Sequence, residues 1–455
     1  MSLLADTTPL RTPDFRRLWL SGVVTVIGAN LTIFAVPVQI YALTRNSAYV
    51  GLSGLFALVP LIVFGLWGGA WADAMDRRVL LIIASGGLAA ASLLLWLQAA
   101  LKLDSVWIVL CLLSLQQAFF AISAPTRAAA IPRMLPGEQL PAANSLNMTV
   151  TQFGAIVGPL LAGVLLRWVD LSTLYLIDAI TCCAAIWATF RLSSMPVTGD
   201  VGSVAGWGFS SLLSVFEGFR YLAGNTVVLM SFVVDLIAMI FGMPRALFPQ
   251  MAHESFGGPV EGGTTMALLA AAISAGAVAG GVFSGWLPKI RRQGLVVVAA
   301  ILVWGLAMVG FGLVSGVAHG GTGVVLWAAL AFLAVGGAAD MVSAAFRSTI
   351  LQQAASDEVR GRLQGVFIVV VAGGPRLADA THGAAAAMVG TTIAAAGGGV
   401  LVVAGVLIAV LTMPAFVRYR LVASHRPVDN ERHSLSPRYD PLRGGGDRGG
   451  NSRLA

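Results

Sequence analysis

The sequence predicts an all-α membrane protein with twelve transmembrane helices arranged as two six-helix halves. Hydrophobic residues make up 57% of the 455 residues and charged residues only 11%, a balance that soluble domains do not show. Twelve apolar stretches follow one another along the chain, and about 20 helical residues suffice to cross a hydrocarbon core of roughly 30 Å. The longest internal loop follows the sixth stretch, and a division after six spans is typical of transporters built from parallel repeats.

The hydropathy of the chain places the spans in order at residues 18–40, 49–72, 79–100, 105–125, 144–167, 173–192, 227–250, 265–287, 294–315, 324–346, 363–387 and 394–416. Residues 1–17 precede the first bundle, which covers 18–192, and the second bundle covers 227–416. The linker 193–226 carries a partly one-sided apolar pattern, which predicts a short interfacial helix. Residues 417–455 are basic and Gly-rich, and we expect this tail to be disordered.

Basic residues are distributed unevenly between the loops on the two sides. With the N-terminus inside, 23 Lys and Arg are cytoplasmic, three lie outside (Arg45, Lys102 and Arg167) and two lie within spans (Arg245 and Arg376). This positive-inside pattern predicts that both termini are cytoplasmic. It also explains the net charge of +7 without a nucleic-acid partner. The abundance of Arg, Ala, Gly and Val suggests a bacterial genome, so the cytoplasmic membrane of a bacterium is the expected location.

No pattern of enzyme chemistry is found in the sequence. The three cysteines, Cys111, Cys182 and Cys183, lie in apolar segments, which indicates neither a disulfide framework nor a metal site. An HExxH zinc helix, a GxSxG elbow and a phosphate-binding P-loop are all absent. We therefore expect no enzyme, no cofactor and no metal, and any transport would be driven by an ion gradient or by the substrate gradient itself.

The loop between the second and third spans carries the sharpest local motif. Gly69, Asp73, Arg77 and Arg78 match the signature of this loop in the major facilitator superfamily, which the chain resembles over its whole membrane region. Asp76 stands where that signature usually has Gly. The resemblance implies a gate, because an acid at a helix end can hold a partner in one conformation and lose it in the other.

Shorter stretches resemble one branch of that superfamily, the bacterial exporters of enterobactin. They are Ala35–Ile40, Val50–Ser53 and the acid at Asp76 that precedes two bases. The glycines between Gly154 and Gly163 partly resemble the antiporter motif of related drug/proton antiporters, although plain helix packing explains them equally well. The resemblance implies export of a small molecule.

Ionisable residues within spans are costly in lipid and are therefore functional candidates. There are six: Asp178, Asp235, Arg245, Asp340, Arg376 and Asp379. The resemblance implies that spans 1, 4, 7 and 10 line a central cavity, which makes Asp235 and Asp340, together with Asp379, candidates for proton coupling. Arg376 and Asp379 could instead neutralise each other. We expect Asp178 to be structural, near the outer end of the sixth span.

Uncharged polar residues near mid-span add candidates for substrate contact. They are Asn30, Gln116 and Gln117, joined by Arg245 and Arg376 as substrate contacts or charge partners. The amides could instead bridge helices, and one of the two adjacent glutamines is expected to face away from the cavity.

The sequence as a whole favours a secondary active transporter, a proton-coupled exporter of a small amphipathic molecule such as a siderophore. A multidrug efflux pump is the alternative, and a membrane-embedded receptor or sensor is the alternative of a different class. The expected partners are the substrate, protons and the lipid bilayer, and the protein is expected to act as a monomer.

Overall fold

The computed structural model describes residues 6–195, 220, 224–290, 292–321, 323–354 and 357–417. Twelve helices of 17 residues or more lie in this part of the chain, and they confirm the all-α membrane fold. They are α1 Pro13–Thr44, α2 Ser47–Ala74, α3 Arg77–Ala100, α4 Val106–Met134, α5 Leu140–Leu165, α6 Leu171–Phe190, α7 Thr226–Gly242, α8 Thr264–Val282, α9 Gln293–Gly316, α10 Val324–Ala354, α11 Asp357–Val389 and α12 Thr391–Thr412. Of the predicted linker, the structure describes residues 193–195, 220 and 224–226, and of the predicted tail it describes Val417; the rest of both, with most of the predicted interfacial helix, lies outside the described residues.

Eleven spans in the described part of the chain are long and apolar enough to cross a membrane. The helix without such a span is α11, whose described second half carries Arg376, Asp379 and His382. These side chains lower its apolar character, but α11 packs against α2 and α7 like a helix of the bundle. A helix that is polar on its protein-facing side is compatible with a span because that side does not meet lipid.

The seventh span, predicted over 227–250, is interrupted near its end. Helix α7 ends at Gly242, a 3-10 turn covers Arg245–Leu247, and a short helix, Phe248–Glu254, completes the span. Pro244 explains the break, because proline lacks a backbone N–H and disfavours helical geometry in the residue before it. Arg245 therefore lies exposed in the break and not within a regular helix.

The two halves meet along α2 and α11 and along α5 and α8. Glycine makes both approaches close: a side-chain carbon added at Gly54 would lie 2.3 Å from the Arg376 carbonyl oxygen, and one at Gly163 would lie 2.4 Å from the Ala267 side chain. Small residues let helix backbones approach in this way in membranes. We call this end of the bundle, where α1 and α5 end and α2 and α8 begin, the contact end.

Polar contacts across the halves reinforce the contact end. The Tyr41 hydroxyl donates to Glu254 at 2.9 Å and the Ser47 hydroxyl donates to Gln250 at 2.6 Å, both on the short helix after the break. The opposite end, where α2 ends and α3 begins, is called the motif end.

Candidate functional site

A cavity of about 520 Å³ is bounded by helices α1, α3, α4, α5 and α6 of the first half and by Arg376 of α11. Three charged side chains lie in its wall: Arg127, Asp178 and Arg376. Amides and hydroxyls supply most of the remaining polar surface, and aliphatic and aromatic groups cover the rest. A cleft of this size with few polar groups is the usual form of a small-molecule site.

Helix α4 gives the cavity its polar side. Gln116, Phe120, Ser123 and Arg127 all line the cavity, and their spacing of three to four residues puts them on one face of a helix. The predicted fourth span ended at residue 125, but α4 continues to Met134. Arg127 is therefore a residue of the cavity wall within α4, and not a loop base as the predicted span end implied.

Both adjacent glutamines lie in the cavity wall, so the expectation that one of them faces away is wrong. The Gln116 amide donates to the Ser92 hydroxyl at 3.1 Å and to an Asp178 carboxylate oxygen at 3.3 Å. Gln117 is buried, and its Oε1 has no hydrogen-bond partner. The wall curves around α4, so side chains 100° apart on the helix can both reach it.

Asn30 is a packing residue of α1 and does not appear among the cavity residues. Its amide donates to the Val26 carbonyl oxygen at 2.8 Å. A side-chain carbon added at Gly158 of α5 would lie 2.3 Å from Asn30 Cβ, and one at Gly154 would lie 3.2 Å from Asn30 Nδ2. The glycines of α5 thus form the groove that Asn30 fills, which supports the packing interpretation of both predicted features.

Asp178 lies on the cavity and not near an end of its helix, which corrects its expected position. It is the eighth residue of α6, and only 1% of its surface is exposed. One carboxylate oxygen accepts hydrogen bonds from Thr32 of α1 at 2.7 Å and from Ser92 of α3 at 2.8 Å, in addition to Gln116. Residues on four helices therefore converge at this carboxylate.

A second charged cluster lies within the C-terminal half. Arg347 of α10 binds the Asp235 carboxylate of α7 through Nη1, and both residues are buried. The Nη2 atom of Arg347 lies 3.8 Å from Asp340, whose side chain is 32% exposed. Arg347 and Asp340 are two turns apart on α10, and they meet because helical side chains point back toward the N-terminus. We call these three residues the carboxylate–guanidinium cluster.

Sequence reasoning missed Arg347 because it fell one residue beyond the predicted end of span ten, whereas α10 continues to Ala354. Its pairing with Asp235 bridges 112 positions of sequence. The alternative that Arg245 neutralises Asp235 is wrong, because Arg245 lies in the break of the seventh span and Asp235 is already paired with Arg347.

Arg376 and Asp379 do not form an ion pair within 4 Å in the part of the chain that the structure describes. Beyond that distance they still interact electrostatically with each other, and more weakly with Arg245. The backbone of this stretch packs on α2, because a side-chain carbon at Gly51 would lie 2.5 Å from the Asp379 carbonyl oxygen. Arg376 nevertheless reaches the cavity and is, among the described residues, the one from the second half that lines it.

The loop between α2 and α3, which carries the predicted gating motif, is held by hydrogen bonds to residues of the first half and of the segment that follows α6. Asp76 caps α3 by accepting the Arg78 backbone N–H at 2.8 Å, and it also binds the Ser194 hydroxyl at 2.5 Å. Arg78 donates to the Phe190 carbonyl oxygen at 2.7 Å, and Arg77 is buried. Gly69 and Asp73 belong to α2, but their surroundings and the Asp73 side chain lie outside what the structure describes. The acid that replaces the usual Gly is thus a helix cap.

Hydrogen bonds set the charge state of Asp76. Partial burial acts to raise the pKa of this carboxyl, but hydrogen bonds from Ser194 and from the backbone N–H groups of Arg78 and Met195 outweigh burial and hold the pKa below its usual value. Asp76 is therefore ionised at neutral pH, as a helix N-cap requires.

A larger depression of about 790 Å³ lies between loops at the contact end. Its charged residues are Lys102, Arg167, Asp170 and Glu261, which carry two charges of each sign. It holds none of the buried carboxylates or guanidiniums described above. The smaller cavity is therefore the better candidate for a binding site.

Comparison with known proteins places this architecture among membrane transporters. A family model described as a transmembrane secretion effector matches residues 4–441. The enterobactin exporter EntS of Shigella boydii serotype 18 (strain CDC 3083-94 / BS512) is 27% identical over 390 residues, which cover 85% of this chain and 89% of that protein.

Solved structures share the fold at low sequence identity. The nucleoside transporter NupG superposes with a TM-score of 0.68 at 13% identity and covers 89% of this chain and 98% of that one. A bacterial homologue of the human lysosomal transporter Spinster, inward-facing and unoccupied, superposes with a TM-score of 0.68 at 15% identity and covers 92% and 100%. These likenesses establish the fold alone.

Proposed function

We propose that this chain, which belongs to the transmembrane secretion effector family of the major facilitator superfamily, exports a small amphipathic anion of the siderophore type in exchange for protons. The chain is a multi-pass membrane transporter. The observation that carries the proposal is the pair of guanidinium groups, Arg127 and Arg376, in the wall of one cavity. The relative named as an enterobactin exporter supports the same substrate class.

The chemistry of the cavity suits a catecholate or carboxylate group. Guanidinium groups bind such planar anions through paired, charge-assisted hydrogen bonds. Among the described residues of the cavity wall, Asp178 is the only acid, and three neutral donors already occupy one of its oxygens. Among the residues described at the wall, charge therefore favours an anion over a cation.

Proton coupling is assigned to the carboxylate–guanidinium cluster of the second half. Asp340 and Asp235 share Arg347, so a conformational change that moves Arg347 toward one acid leaves the other without its partner. A buried carboxylate without a partner binds a proton readily. A potential of 100 mV supplies about 2.3 kcal/mol for each charge moved. Asp379 stays a further, untested candidate.

The positive-inside rule assigns the two ends of the bundle to the two sides of the membrane in this proposal. With both termini in the bacterial cytoplasm, the contact end faces outward and the cavity lies on its cytoplasmic side. Asp73 and the motif residues around it would then act at the cytoplasmic gate. The chain acts as a monomer in this proposal.

The test uses purified protein in proteoliposomes with an imposed pH gradient. Export of a catecholate siderophore and of a cationic dye is measured in the same vesicles for Arg127→Gln, Arg376→Gln and the exposed control Arg16→Gln. We expect siderophore export to fall about tenfold or more for the two cavity variants, as loss of a charge-assisted hydrogen bond predicts. Dye export should fall less, and the control should match the wild type.

Each other outcome assigns a different function or role. Equal loss of both substrates would mean that the two arginines hold the bundle together and do not select an anion. Transport of the dye alone by the wild type would replace the proposal with multidrug efflux. A siderophore flux that ignores the pH gradient would remove protons from the mechanism. An unchanged gradient response of Asp235→Asn and Asp340→Asn would keep the protons but remove these two acids as the coupling groups.

A further inference from the structure

Asp178 is a deeply buried carboxylate with no basic partner. It is 1% exposed, and no Lys, Arg or His nitrogen lies within 4 Å of it among the residues that the structure describes. Asp235, which is buried to the same degree, differs because Arg347 binds it. A buried charge without a counter-charge is unfavourable by several kcal/mol even after relaxation of its surroundings, so Asp178 has an unmet need for one positive charge.

The groups around Asp178 are neutral and rich in oxygen. Thr32, Ser92 and Gln116 all donate to the same carboxylate oxygen, at 2.7, 2.8 and 3.3 Å. Each of these side chains also carries an oxygen with lone pairs. A carboxylate with hydroxyl and amide oxygens is the donor set that hard cations prefer. Among the described residues, the second carboxylate oxygen has one hydrogen-bonding contact, with the Cys182 thiol at 3.9 Å.

The packing of α1 on α6 closes one side of this cluster and leaves the cavity as its entrance. A side-chain carbon at Gly28 would lie 2.9 Å from an Asp178 carboxylate oxygen and 2.0 Å from the Thr181 hydroxyl, so the α1 backbone covers the carboxylate there. Asp178, Gln116 and Cys182 all line the cavity. A small ion can therefore reach the carboxylate without crossing lipid.

We propose that Asp178, with Thr32, Ser92 and Gln116, forms a site for one monovalent cation, either a proton or Na⁺, that fills from the cavity. This site is separate from the carboxylate–guanidinium cluster and lies in the other half of the protein. The ionisable groups that share the cavity with it are Arg127 of α4, Arg376 of α11 and Cys182 of α6. Neither arginine lies within 4 Å, so the cation would be the nearest positive charge.

The test measures thermal unfolding of the purified full-length protein in detergent without any transport substrate. One arm replaces N-methylglucamine chloride with NaCl at constant ionic strength and pH 7.5, and the other lowers the pH from 8.5 to 5.5 without Na⁺. A cation that binds only the folded state raises the melting temperature, and we expect a rise of about 3 °C or more in one arm. A response to Na⁺ identifies the metal ion, and a response to pH alone identifies the proton.

Two variants and a control make the result specific to this site. Asp178→Asn, which is permanently neutral, should melt higher than the wild type in cation-free buffer and lose the response. Thr32→Val should require at least about tenfold more Na⁺, since it loses one oxygen ligand while keeping its shape. If the cation is a proton, the same variant should respond at a higher pH, because the carboxylate loses a hydrogen bond that stabilises its charged form. Asp104→Asn, an exposed loop acid whose positive φ of 45° suits Asn, should respond like the wild type.

Two outcomes would overturn the proposal. One is a wild type that responds in neither arm, and the other is an Asp178→Asn protein that keeps the full response in both. If Asp178→Asn does not fold, the dose–response curves of Thr32→Val and Ser92→Ala decide, and unchanged midpoints count against the site. Because no transported substrate is present, failure here leaves the proposed export to be judged by its own experiment.

Discussion

Replacing Arg347 with Gln tests whether the carboxylate–guanidinium cluster stabilises the second half. Arg347 and Asp235 are 5% and 2% exposed, and the ion pair joins α10 to α7. The Gln side chain keeps a polar end but removes the positive charge. Asp235 would then be a buried carboxylate without a counter-charge, in a position that water does not reach.

The expected loss follows from burial. Removal of one partner from a buried ion pair lowers the free energy of unfolding by about 3 to 5 kcal/mol, because the remaining charge is uncompensated. Asp340 adds about 1 kcal/mol at most, since its side chain is 32% exposed and 3.8 Å away. The matched control is Arg17→Gln, which breaks a partly exposed pair with Asp14 at 3.2 Å and should lower the free energy of unfolding by less than about 1 kcal/mol.

The measurement is unfolding in mixed detergent micelles, and the double variant Asp235→Asn with Arg347→Gln is the decisive comparison. If the uncompensated charge causes the loss, the double variant regains most of the stability that Arg347→Gln alone loses. The reasoning fails if Arg347→Gln costs no more than Arg17→Gln. It fails equally if the double variant is as unstable as Arg347→Gln, because packing and not charge would then account for the loss.

Three further predictions concern helix packing, capping and gating. Gly28→Ala should lower the free energy of unfolding by about 1 to 3 kcal/mol, because the added carbon overpacks against the Thr181 hydroxyl. The control is Gly86→Ala, whose added carbon would meet no neighbouring group within 4 Å. It should be neutral or slightly stabilising in the same unfolding assay. Asp76→Ala should lower the free energy of unfolding by about 1 kcal/mol through loss of the α3 cap. Because the pKa of Asp76 is lowered in the folded state, this difference between wild type and variant should persist above pH 4 and shrink below it. Melting curves at several pH values would measure it. Asp73→Asn should reduce export in proteoliposomes while membrane insertion, measured by fractionation, is unchanged, and a wild-type export rate would refute the gate assignment.

Hydropathy placed most helices within a few residues of their observed ends, because lipid demands long apolar segments with internally satisfied backbones. It failed where a helix continues past a charge. Arg127 and Arg347 ended the predicted fourth and tenth spans, yet α4 and α10 run on to Met134 and Ala354. An apolar window cannot distinguish a base that follows a helix from one that faces a protein interior.

The spacing of residues in the sequence also did not predict which side chains on different helices form hydrogen bonds with each other. The break after α7 can be predicted from the sequence at Pro244, because a missing backbone N–H is a property of that residue alone. By contrast, the hydrogen bond between Thr32 and Asp178 joins residues 146 positions apart, and no periodicity within either helix predicts it. Asp178 was expected to be structural because it lies near the outer end of the predicted sixth span. Its surroundings in the structure depend instead on how α1, α3 and α4 pack against α6, which the sequence of α6 does not show.

The Ala35–Ile40 stretch shows how a family resemblance can report on packing. Gln39, within it, exchanges amide hydrogen bonds with Gln98 at 3.0 and 3.2 Å and accepts the Tyr175 hydroxyl at 2.8 Å. All three residues are buried, and they join α1, α3 and α6. A paired, fully buried amide network specifies how helices align. The stretch therefore supports kinship of architecture, while the argument for substrate depends on the cavity.

The two halves use equivalent positions in opposite ways. Arg127 lies two turns before the end of α4, and Arg347 lies two turns before the end of α10, as the six-span repeat predicts. Arg347 is neutralised by Asp235, whereas Arg127 makes no ion pair within 4 Å among the described residues and approaches only the Leu18 carbonyl oxygen, at 3.5 Å. Asp178 in the same half is also without a basic partner. Unpaired charges in a membrane interior persist only where a ligand or water compensates them. The first half, whose Arg127 and Asp178 both line the cavity without an ion pair, is therefore suited to bind ligands. The carboxylate–guanidinium cluster of the second half is suited to change its pairing as the transporter switches between states.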